Sequence, residues 1–183
     1  MVERTNAIIK ACKQHKSTDP TEIFVSVAGQ ESVRMHGPEH HVLDGACILT
    51  ACRNAGLEFD LEDALARLQT EGLKMPGAAC GYWGVCGAVT SIGAALAILD
   101  HTGPLSTDGS WGRHMEFTSA AIARMGRVNG PRCCKRDGFI AMEAAVAYIN
   151  ANYPITLTAA PIRCCFSPRN EQCLHQRCPY YGE

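Results

Sequence analysis

The chain has 183 residues, about one domain's length, with 46% hydrophobic and 19% charged residues. That composition excludes a collagen-like or largely disordered chain. Its 17 Lys plus Arg nearly cancel 18 Asp plus Glu, and the formal net charge of −1 argues against a protein that coats nucleic acid through a basic face.

The opening residues mix charges with a few apolar positions and hold no apolar core ahead of a cleavage site, so no secretory signal is expected. A first helix is predicted over 2–15, with Ile8, Ile9 and Cys12 on one face. Asp19-Pro20 suits a helix start, with Asp as cap and Pro at the first helical position, and that segment is expected to run to about Val33. His36-Gly37-Pro38 breaks the chain, and a long helix is predicted over 39–54, ended by Gly56. Asp60 caps a helix over 61–70 with Leu61, Ala64, Leu65 and Leu68 at helical spacing and Gly72 as its stop. A Gly-rich loop, 76–84, leads into an Ala- and Gly-rich helix over 85–100, which is too short to span a bilayer. Further helices are expected over 108–125 and, opened by Pro131, over 132–151. Only Pro154-Ile-Thr-Leu-Thr reads as strand-like, so the chain is expected to be an all-α, compact multi-helix single domain. Residues 163–183 form an irregular, polar, Cys-rich tail packed on it, without much of a hydrophobic face.

Eleven cysteines are the outlier. With no export signal, a cytoplasmic setting is expected, where such a pattern points to metal or catalysis rather than disulfides. Cys80-Gly-Tyr-Trp-Gly-Val-Cys86-Gly is a flexible loop entering a helix, whose dipole favours thiolate, the form that ligates metal or attacks electrophiles. In Pro131-Arg132-Cys133-Cys134-Lys135-Arg136, helix start and cations act together on two adjacent thiols, which point in different directions. Cys164, Cys165, Cys173 and Cys178 crowd a tail too polar to order itself, and a metal would supply that order. His40, Asp44 and Cys47 share a helix face, and His41 can also reach Asp44, which makes His41 and Asp44 candidates for acid–base work or for supporting a metal. Arg132 and Arg136 are candidate anion-binding residues. Positive charge also collects in the second half: residues 101–183 hold 9 basic and 6 acidic residues, against 8 and 12 in 1–100.

The Cys80–Cys86 loop, Gly130-Pro-Arg-Cys133-Cys134-Lys-Arg136, Cys164-x-Phe166-Ser, Asn170-Glu-Gln-Cys173 and Cys178-Pro179 together resemble a prokaryotic domain of unknown function, over about residues 36–181. The resemblance implies a setting in anaerobic bacteria and archaea, alone or beside methyltransferase or radical-enzyme domains. It also implies that Cys80, Cys86, Cys133, Cys134, Cys164, Cys173 and Cys178 belong to the shared pattern, with His41 joining them and Cys165 ranked below Cys164. It supplies no reaction.

The expected function is that of an iron–sulfur protein, with a 4Fe-4S cluster held by tail thiolates and one of the Cys133/Cys134 pair. Cys80 and Cys86 would complete this centre or begin a second one. Electron transfer or sulfur and small-anion chemistry would follow, with a redox or sulfur-donor protein or a small anionic substrate as partner, and neither nucleic acid nor membrane. Two alternatives stay open: a structural zinc module, and a thiol enzyme with Cys86 or Cys133 as nucleophile.

Overall fold

The helix that follows Pro38 is buried from His40 to Cys52, without a solvent face. The architecture follows from this. In the computed structural model, which describes residues 1–182, eight α-helices run in chain order: α1 (Val2–Gln14), α2 (Pro20–Ala28), α3 (His40–Asn54), α4 (Leu61–Lys74), α5 (Ala79–Tyr82), α6 (Gly87–Leu99), α7 (Ser110–Val128) and α8 (Cys134–Asn152). Helices α1, α2, α4, α6 and α8 all pack on α3, and α7 closes the far side against α6 and α8. The fold is all-α, with no β-strand among the described residues.

Close approach at the centre depends on a missing side chain. A β-carbon on Gly45 would stand 2.5 Å from the Ser91 carbonyl oxygen, and the Gly45 N–H donates to Ser91 Oγ at 2.9 Å. The two Asp caps are in place. Asp19 accepts from the N–H groups of Thr21 and Glu22, and Asp60 from those of Glu62 and Asp63.

Several boundaries differ from expectation. Helix α2 ends at Ala28 rather than near Val33, since the chain turns through Gly29 and Gln30. Gly72 lies inside α4, where a β-carbon would stand 2.5 Å from the His41 carbonyl oxygen: it is a contact point with α3, not a stop. Helix α8 starts at Cys134, with Cys133 as its cap, three residues beyond Pro131. The short helix α5 inside the Gly-rich loop was not expected.

Residues 154–158 form no strand. They are tied down by the Asn150 side chain, which brackets the backbone of Leu157, and by a hydrogen bond from Thr158 to Thr18. The tail also departs from its expected lack of apolar anchors. Phe166, Leu174 and Tyr180 are buried, and Phe139 of α8 packs against Tyr180 at 5.3 Å and Phe166 at 6.4 Å between ring centres. Two 3₁₀ turns, Ser167–Arg169 and His175–Arg177, shape the rest.

Candidate functional site

The structure divides the seven motif cysteines between two neighbouring cavities. Cys133, Cys164, Cys173 and Cys178 line the first, a cavity of only about 20 Å³ between the start of α8 and the tail. Each contributing segment places its sulfur by local geometry. Cys133 caps α8, and its Sγ accepts from the Arg136 N–H and from Asn170 Nδ2, both at 3.5 Å. The turns after Cys164 and Cys173 return a backbone N–H to each sulfur two residues on, from Phe166 and His175, both at 3.4 Å. Cys178 ends the second 3₁₀ turn.

Burial dominates the electrostatics. It pushes the Cys133 and Cys164 thiols above the ordinary range, although backbone N–H groups pull both back. Helix-start geometry therefore does not by itself produce thiolates here, contrary to the simple dipole expectation. A bound cation would supply the missing charge, and four thiols with N–H donors already facing three of the sulfurs are a fitting donor set. Among the described residues, however, no group of three or more His, Cys, Asp or Glu side chains stands ready-made to hold a metal ion. Ligation at this cavity thus requires the side chains to adjust.

Cys80, Cys86 and Cys134 are not brought to that cavity. They line the second, a cleft of about 290 Å³ between the start of α3, the loop around α5 and the start of α8, together with His41, Asp137 and Arg132. The adjacent Cys133 and Cys134 thus face different cavities. Burial raises Cys134 to about 11 against the opposing Gly37 N–H, and raises Cys86 further still. His41 Nδ1 lies 3.2 Å from the Met75 carbonyl oxygen, to which it donates, so Nε2 carries the lone pair. Burial also lowers the His41 pKa, which keeps the ring neutral.

Asp44 pairs with His40 rather than with His41. Its Oδ2 lies 3.3 Å from His40 Nδ1, and its Oδ1 is buried without a partner. Cys47, on the same helix, lies in the apolar core. His40 Nε2 is in turn 3.1 Å from Lys135 Nζ, which also donates to the Arg34 carbonyl at 3.0 Å and stands 5.2 Å from the centre of the Phe166 ring. Lys135 is fully buried, and burial lowers its pKa to about 8. The Asp44–His40–Lys135 chain was not foreseen as a unit. The spacing of His40 and Asp44 signals one half of it, and the signal for the other is a lysine in the first turn of a helix, where the dipole disfavours a cation. Of the two candidate anion-binding residues, Arg132 is exposed at the cleft. Arg136 is buried and engaged with Asp137 Oδ1 at 3.0 Å and the Pro131 carbonyl at 3.1 Å.

These features define a cysteine-rich, all-α protein with two adjoining thiol-lined cavities. The chain belongs to the family of unknown function DUF5714, whose model matches residues 8–181. Comparison with curated proteins and with solved structures returns no match.

Proposed function

We propose that this protein holds a metal–thiolate centre through Cys133, Cys164, Cys173 and Cys178, and that the resident group is an iron–sulfur cluster. The observation that carries the reading is the meeting of four thiols, from one helix start and three points of the tail, at a single small cavity. Backbone N–H groups directed at sulfur are the contacts that tune such centres, and the Arg136 side chain, which lines the cavity, brings positive charge beside the thiolates. When bound, a cluster would supply one-electron transfer or, with an open iron, activation of sulfide or a small anion. The chain's own part is to exclude water with Phe139, Phe166 and Tyr180 and to fix the four sulfurs.

A second reading, a structural zinc ion, is favoured by the small size of the cavity, which suits one ion more readily than a cubane. It also gains because only four of the seven motif cysteines share the cavity. Iron, zinc and acid-labile sulfide analysis on oxygen-free protein separates the two. The cluster reading expects brown protein with iron and sulfide in similar amounts, both lost in Cys173→Ala and Cys178→Ala and both kept in Cys12→Ala. Colourless protein with about one zinc per chain overturns the cluster in favour of zinc, and metal-free protein overturns both.

A further inference from the structure

The cleft holds a combination of groups that the tail centre leaves unused. His41 is 7% exposed and lines the cleft, and with Nδ1 committed to the Met75 carbonyl its Nε2 has no hydrogen-bond partner among the described residues. The ring lies directly against Gly87, the first residue of α6, where any β-carbon would fall inside the imidazole. Cys86 is the residue before it and occupies the cap position of the same helix. Cys86, which is partly exposed, also borders a wider opening of about 740 Å³.

We propose that this cleft is a thiol-chemistry site in which Cys86 is the nucleophile and His41 its general base, acting on a small electrophile that carries a leaving group. Burial keeps the Cys86 proton on sulfur, so attack requires a base, and His41, whose ring lies against the adjoining Gly87, presents its open Nε2 lone pair in the same cleft. In the step, the Cys86 proton passes to His41 Nε2 and the sulfur pair forms a bond to the electrophilic carbon. The bond from that carbon to its leaving group breaks, and the leaving group departs with the electron pair. No oxidant or reductant is consumed. The N-terminus of α6, at whose cap Cys86 sits, favours the negative charge that develops on sulfur as the proton leaves. Glycine at position 87 lets the imidazole edge approach the helix start.

The site is independent of the tail centre, and the test reads the two apart. The full-length protein, purified oxygen-free, is treated with limiting iodoacetamide, and alkylation at each cysteine is followed by mass spectrometry, with exposed Cys165 as the internal reference. Cys86 is expected to react at least as fast as Cys165. His41→Ala should slow Cys86 about 100-fold without changing Cys165, and free imidazole in the buffer should restore the rate. Gly87→Ala, which displaces the ring without removing the base or the thiol, should slow Cys86 as well, and it serves if His41→Ala does not fold. Cys86 alkylation that is slower than Cys165 in the wild type, or unchanged by His41→Ala or Gly87→Ala, overturns the proposal, as does failure of imidazole to rescue. Cys86→Ser should retain the wild-type content of whatever metal the protein carries; loss of that metal would make Cys86 a ligand and overturn the assignment. Failure of the tail-centre reading leaves the labelling result intact.

Discussion

Glu39 has no exposed surface, yet it accepts three hydrogen bonds from one residue: from the Arg34 N–H at 2.7 Å, Nε at 3.0 Å and Nη2 at 2.7 Å. Burial alone would raise its pKa, but these bonds and the guanidinium charge outweigh burial and hold it at about 2. Because the folded-state value lies below the ordinary 4.5, the carboxylate stabilises the fold above about pH 4.5, and that contribution disappears as the pH falls towards 2. Glu39→Gln should therefore lower the melting temperature at pH 7, and the gap to wild type should close between pH 4.5 and 2 in thermal scans. A gap that stayed constant through that window would show that the charge is not what matters. The pair fixes the 34–39 turn, which delivers the Arg34 carbonyl to Lys135 and His36 to Asn170 of the tail, at 3.0 Å and 3.1 Å. Neither partnership is visible in the local sequence, because each joins residues about a hundred or more positions apart.

Helix starts were legible where a side chain or a ring dictates them. Asp19-Pro20 and Asp60 mark the beginnings of α2 and α4, because an Asp oxygen accepts otherwise unpaired first-turn N–H groups wherever the chain lies. Ends were less legible, because they depend on neighbours. Gly72 reads as a terminator in isolation, but its role is to let α4 lie against α3. Gly45 plays the same part between α3 and α6, and Gly45→Ala would force the Ser91 carbonyl away from the central helix. The expected cost is about 1–3 kcal/mol in denaturant unfolding, with little change in helical circular dichroism. A cost near zero would mean that α3 and α6 separate freely, and the central position assigned to α3 would then need revision.

At the scale of the whole molecule, the sequence identifies the cysteines that stand apart from the core but not how they are shared out. Cys133 and Cys134 are neighbours in the chain, and only the angle at which α8 meets the tail and α3 sends one to each cavity. The apolar hold on the tail was missed for a similar reason: Phe166, Leu174 and Tyr180 are spaced by 8 and 6 residues in irregular chain and present no periodic stripe. These anchors predict that, if the tail carries the proposed metal centre, its order depends on that metal only in part. Stripping metal with a chelator should expose residues 163–182 to limited proteolysis while helix content is retained. Complete unfolding on chelation would mean that the centre supports the helical core as well as the tail.

The hydrogen bonds that bracket residues 154–158 keep the polypeptide after α8 close to the bundle as it turns back towards the start of that helix. During synthesis Cys133 leaves the ribosome with seven of the helices already made, whereas Cys164, Cys173 and Cys178 follow only after all eight. The proposed donor set is therefore complete only in a chain whose eight helices have all been translated.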